Sequence, residues 1–107
     1  MALTVRVQEY SGTLVEEDCE HPYSRLVDVA AATPADFPLL AGVDRYDDTI
    51  FNPRQCRALL KEVQALMQQV EDKDLRRTAE RLSTLADLVI PSRDHRTTHR
   101  RLWFNGD

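Results

Sequence analysis

Between Asn52 and Pro91 the sequence leaves room for little besides two amphipathic helices laid side by side. Asn52-Pro53 is a helix start, because asparagine caps with its side chain and proline at the first helical position gives up only an N–H that has no helical partner. Gln55 stands three residues after Asn52, where its amide can reach back and close a capping box. Cys56, Leu59, Leu60, Val63, Leu66, Met67 and Val70 then recur at helical spacing as one apolar stripe, with Arg54, Arg57, Lys61, Gln64 and Gln68 largely off it. The charged connector Glu71-Asp72-Lys73-Asp74 ends this helix and, through either Asp72 or Asp74, caps the next. Leu75, Ala79, Leu82, Leu85, Ala86 and Val89 keep the period until Pro91, which cannot extend the hydrogen-bond ladder. So short a connector predicts an antiparallel helical hairpin over residues 53–70 and 73–90, with Leu59, Leu66, Leu82 and Leu85 facing one another.

The two ends of the chain follow a different period. Leu3, Val5 and Val7 alternate with Thr4, Arg6 and Gln8, which reads as a half-buried strand. Ser11-Gly12 is a turn signal, and Thr13-Leu14-Val15-Glu16 supplies a returning strand. At the far end Leu102 and Phe104 fall on one face and Arg101 and Trp103 on the other, a terminal strand expected to pair with residues 3–9. Residues 24–32, SRLVDVAAA, fit helix or strand, and the alanine run favours helix. Thr33-Pro34-Ala35-Asp36 has the look of a cap, a first-turn proline and an early acid, predicting one or two helical turns through Leu40 that stop at Gly42. The expected fold is therefore α+β: a small antiparallel sheet, built from the chain ends and a hairpin, packed on the helical hairpin.

With 107 residues, 42% of them hydrophobic and 30% charged, the chain has the makings of one domain, 1–107, with a real core. No apolar run approaches the ~18 residues of a membrane span, and Arg6 and Glu9 interrupt any signal-peptide reading of the first ten residues. Two cysteines do not make a disulfide framework, so the expected address is cytoplasmic. Charge is unevenly placed. Residues 1–50 hold ten acids against Arg6, Arg25 and Arg45, a balance of −7, while residues 51–107 hold eight acids against eleven bases, a balance of +3. Either the halves neutralise one another across the fold, or the acidic half offers a face to a basic partner.

Side chains with catalytic or ligating chemistry are sparse. His95 and His99 are four apart and Cys19 lies near His21, but neither pair has a third ligand at defined spacing, and arginines crowd the histidines, so no metal is expected. Carboxylates surround Cys19 and disfavour its thiolate, while Cys56 belongs to the apolar stripe. There is no G-x-S-x-G, and three glycines cannot build a phosphate-cradling loop. These absences predict no cofactor and no enzyme. Two acidic clusters remain as candidate partner-binding residues: Asp44, Asp47 and Asp48 around Tyr46, and Glu16, Glu17, Asp18 and Glu20. The basic run from Arg93 to Arg101, followed by Trp103 and Phe104, suits nucleic acid in type, but an acidic chain repels a polyanion and pairing with the acidic half is the simpler use.

The stretch Gly42-Val43-Asp44-Arg45-Tyr46-Asp47-Asp48-Thr49-Ile50-Phe51-Asn52, together with the closing Phe104-Asn105-Gly106-Asp107, resembles a group of small uncharacterised bacterial proteins. These carry D-P-Y-G-D-T-x-F-N before a similar helix and end in F-x-G-D. Arg45 and Asp47 replace the proline and glycine of that pattern, so the turn there differs. The resemblance covers residues 40–70 and 100–107 and implies a bacterial cytoplasmic origin, without supplying catalytic residues. Small size, acidity and the lack of a catalytic constellation together point to a binding protein that neutralises a protein partner, such as an immunity protein against a basic toxin domain. A nucleic-acid-binding regulator or a small enzyme is the alternative.

Overall fold

The computed structural model of the protein describes residues 3–91 and 99–106. Along them run β1 (Thr4–Glu9), β2 (Leu14–Asp18), α1 (Tyr23–Ala32), α2 (Pro38–Ala41), β3 (Thr49–Phe51), α3 (Pro53–Gln69), α4 (Lys73–Val89) and β4 (Arg100–Asn105). The strands form one antiparallel sheet in the order β2-β1-β4-β3, giving the α+β architecture that the two periodicities predict. β1 and β4 meet at its centre, from Thr4 opposite Asn105 to Glu9 opposite Arg100. Their two-residue period places Val5, Val7, Leu102 and Phe104 on one face, each fully buried. Phe51 of β3 joins them edge-to-face on Phe104, with ring centroids 5.8 Å apart. α3 and α4 pack on this face.

The helices begin where capping chemistry puts them. Asn52 and Gln55 exchange side chain-to-backbone hydrogen bonds of 2.8 and 2.9 Å, a complete capping box ahead of Pro53. Asp72, rather than Asp74, caps α4, accepting from the N–H groups of Asp74 and Leu75, and those bonds hold its carboxyl below the usual range. Leu59, Leu66, Leu82 and Leu85 are all buried in one core. Thr78 is buried with them and satisfies its hydroxyl on the Asp74 carbonyl at 2.7 Å. The ambiguous segment 24–32 is helical: Tyr23, Leu26, Val27 and Ala30 are the buried positions of α1, and that spacing belongs to a helix. Among the described residues no helix is long and apolar enough to cross a membrane.

Three local expectations need correction. The Thr33-Pro34 start does not nucleate a helix, because Thr33 closes α1 with its N–H on the Ala30 carbonyl. α2 begins instead at Pro38, after Phe37, which is 1% exposed and sinks into the core. The free N–H groups of Leu39 and Leu40 are taken by the Glu62 carboxylate of α3 at 3.1–3.2 Å, a cap supplied from elsewhere in the chain. The returning strand β2 runs on past the expected Glu16 to Asp18, so Glu17 and Asp18 are strand residues as well. Finally, Thr49–Phe51 adds a strand, β3, to a segment whose polar composition reads as loop. Leu66→Ala should destabilise the protein by ~2–5 kcal/mol through lost burial and the cavity left behind, measured by urea unfolding against wild type.

Candidate functional site

Loop 43–48 is held at both ends and inside. Val43 is buried, Asp44 N–H donates to Thr49 Oγ1 at 2.9 Å, and the Asp44 carboxylate accepts the Tyr46 N–H at 2.8 Å. Asp47 accepts the Asp48 N–H at 2.7 Å. Such aspartate-to-backbone bonds fold the chain back on itself without a regular ladder. Arg45, the cation within the loop, is drawn away to an ion pair with Asp28 of α1. Tyr46 is 71% exposed, and Asp44, Asp47 and Asp48 are exposed around it.

The chain end closes this loop from beneath. Thr49, Ile50 and Phe51 pair with Phe104, Trp103 and Leu102, Asn105 Nδ2 donates to Asp48 Oδ1 at 2.7 Å, and Gly106 N–H donates to the Asp47 carbonyl at 3.2 Å. A Cβ at Gly106 would collide with the Arg45 carbonyl and lie 2.7 Å from the Asp47 nitrogen. Glycine is required there by close approach of two backbones. Residues 44–51 and 102–106 thus touch in space and build one feature.

The second acidic cluster has a different character. Asp18 is 9% exposed and its carboxylate is turned toward α1 and α4. Its Oδ2 accepts the Tyr23 hydroxyl at 2.9 Å, His21 Nδ1 at 2.7 Å and Arg81 Nε at 3.2 Å, while Oδ1 accepts the Glu20 N–H at 2.9 Å. Burial pushes this carboxyl up, but the bonds from Glu20, Tyr23 and His21 outweigh it and hold the group below its usual 3.8. Burial and the Asp18 carboxylate together push the Tyr23 phenol well above its ordinary value. Glu16 lies 3.6 Å from Arg81, and Glu17 lies 3.6 Å from Arg6. Of that cluster only Glu20, exposed in an open cleft with His21 and Arg81, is without an ion pair among the described residues. The clusters also sit apart: β2 and β3 are opposite edges of the sheet, three strand spacings or roughly 14 Å from one another. They do not make a single acidic face.

Other candidates resolve as follows. A carboxylate on His21 Nδ1 fixes the ring in the manner of a general base, yet Cys19, the nearby thiol, is not hydrogen-bonded to it among the described residues. Burial pushes the Cys56 thiol up to about 12, which leaves it inert as a nucleophile at neutral pH. No group of three His, Cys, Asp or Glu arranged to hold a metal occurs among the described residues. Of the basic run, residues 93–98, His95 included, lie outside the described residues. Arg100 donates to the Leu88 carbonyl at 2.9 Å in the last turn of α4, and Arg101 turns back on the Arg100 carbonyl at 2.9 Å. Both guanidinium groups are engaged in backbone bonds. Ile50 is a surface residue that a search for charged motifs passes over; its cross-strand neighbour Trp103 faces outward, as the alternation Leu102, Trp103, Phe104 predicts. No protein-family model, curated protein or solved structure matches this chain.

Gly106→Ala should cost about 1–3 kcal/mol by overpacking and shift the amide resonances of residues 45–48, measured by urea unfolding and NMR. For Asp18, a folded pKa below the unfolded one means stability complete above about 3.8 and lost as pH falls through the folded value. Asn at this position presents an N–H₂ to at least one of the donors that Asp18 satisfies. Asp18→Asn should therefore be less stable by ~1–3 kcal/mol at neutral pH and should lose less stability on acidification than wild type. Urea titrations across that range read both effects.

Proposed function

We propose that this chain is a small acidic binding protein that neutralises a protein partner, as the immunity protein of a bacterial toxin system does. Loop 43–48 carries this reading: Tyr46, 71% exposed, stands among three carboxylates on a backbone already tied by hydrogen bonds. A pre-ordered loop loses little conformational entropy on binding, and an exposed tyrosine supplies apolar area with a hydrogen-bonding tip. Removal of Arg45 to Asp28 leaves the loop's carboxylates without an ion pair among the described residues, so its field is negative. Such a field raises the rate at which a basic partner arrives, which suits an inhibitor that must act before its target does. Asp44, Tyr46, Asp47 and Asp48 make the contact, with Glu20 at the far edge outside it; Glu16, Glu17 and Asp18 serve the fold.

The partner is to be captured from the source bacterium and its binding followed kinetically at two salt concentrations. Asp44→Asn with Asp47→Asn keeps the acceptors that fold the loop while removing two charges. This double variant should associate roughly tenfold more slowly at low salt, with a weaker salt dependence and an unchanged melting temperature. Tyr46→Ala should accelerate dissociation, at a loss of about 1–2 kcal/mol or more. Unaltered kinetics in both variants would refute the assignment.

A further inference from the structure

The sheet has one face that no helix covers among the described residues, and its composition follows from register. Ile50 lies opposite Trp103, Trp103 opposite Arg6 and Arg6 opposite Glu17, so one row crosses all four strands. Beside it, on the hairpin side, run Arg101, Gln8 and Leu14; on the other side Asn105 and Thr4 lead to Asp48. Trp103 is half-buried and Ile50 44% exposed, a cross-strand apolar pair, while Leu14, 52% exposed, stands apart on the opposite edge strand. Arg6 is held by Glu17 and Arg101 by its own backbone. Asp47 and Asp48, three and two residues before Ile50 and stapled to the β4 end, are without an ion pair among the described residues.

We propose that this open face, centred on Trp103 and Ile50, receives a basic protein segment: an apolar anchor set on the Ile50–Trp103 pair, with flanking lysine or arginine side chains on Asp47 and Asp48. The inference rests on the binding-protein reading and names the chemistry of the partner and the larger surface it uses. Charge decides the occupant. A nucleic-acid strand stacked on Trp103 would bring its phosphates against the Asp47 and Asp48 rim. Arg6 is already paired with Glu17, and Arg101, bonded to a neutral backbone carbonyl, leaves one positive charge on the face against the two negative charges of the rim. A second copy docked face to face offers the Asp47 and Asp48 rim no unpaired cation of this face besides Arg101, since Arg6 is already paired with Glu17. A cationic amphipathic segment satisfies both the apolar strip and the rim.

Trp103 is the chain's one tryptophan, so its emission reports directly on this face. The probe is a short synthetic peptide alternating lysine and valine, with a glutamate–valine peptide and oligo-dT as controls. The lysine peptide should shift Trp103 emission, and its affinity should fall with salt. Ile50→Ser, at an exposed position and checked for an unchanged melt, should weaken it about tenfold, the loss of a well-packed anchor. Binding that Asp44→Asn with Asp47→Asn weakens, but that ignores Ile50→Ser and leaves Trp103 emission unmoved, overturns the sheet face and keeps the loop. No binding of the lysine peptide overturns the cationic-segment proposal, while kinetics with the captured partner still decide the loop separately. A response to oligo-dT in place of the peptide, or emission that changes with protein concentration alone, overturns the proposal in favour of nucleic acid or a second copy.

Discussion

Everything in this fold hangs on β4 lying between β1 and β3. That strand supplies Leu102 and Phe104 to the core, pairs the chain's last segment with its first, and gives β3 a neighbour to bond to. Three residues of β3 would not hold as a strand without it, because so short a pairing is marginal in water. β3 in turn anchors loop 43–48, which otherwise has only its own aspartate turns. The exposed loop is thus a dependent of the central pairing, not an independent appendage.

A buried carboxylate performs a comparable service on the other side of the sheet. Asp18 collects Tyr23 of α1, Arg81 of α4 and the turn at Glu20 and His21, joining β2 to two helices at one point. Buried charge is costly unless its lone pairs are used, and here four donors use them. The same residue explains how Glu16-Glu17-Asp18 can be strand at all. Acidic residues are poor strand formers, but Arg81, Arg6 and Tyr23 each meet one of them. The acidity of β2 is thus internal wiring, unlike that of loop 43–48.

Legibility followed the range of the forces involved. The helical hairpin, its Asn52 cap, a second cap narrowed to Asp72 or Asp74, and the pairing of the chain ends could be read because periodicity and capping are local signals. β3 could not, since three residues carry no period. The start of α2 was hidden for a different reason: its cap is Glu62, 23 residues away, while the local Thr33-Pro34 signal was outweighed by the burial of Phe37. Residues of the candidate site divide the same way. Asp44, Tyr46, Asp47 and Asp48 are exposed, as their composition suggests, whereas Asp18 carries the same charge and is buried, because only the tertiary fold supplies Tyr23 and Arg81.

The position of β4 in the sheet also sets an order of events in folding. The helical hairpin and the β1–β2 hairpin close over a few residues each, but the central pairing joins Thr4 to Asn105 across almost the whole chain. Closing so long a loop costs entropy that its contacts repay only once made, so this is the costliest of the sheet's pairings to bring together. Until it happens, β1 has a bare edge and the apolar faces of Val5, Val7 and Phe51 have no strand between them. A chain in which β4 has not yet paired therefore presents the edge and apolar surface that favour aggregation, and the finished sheet withdraws both.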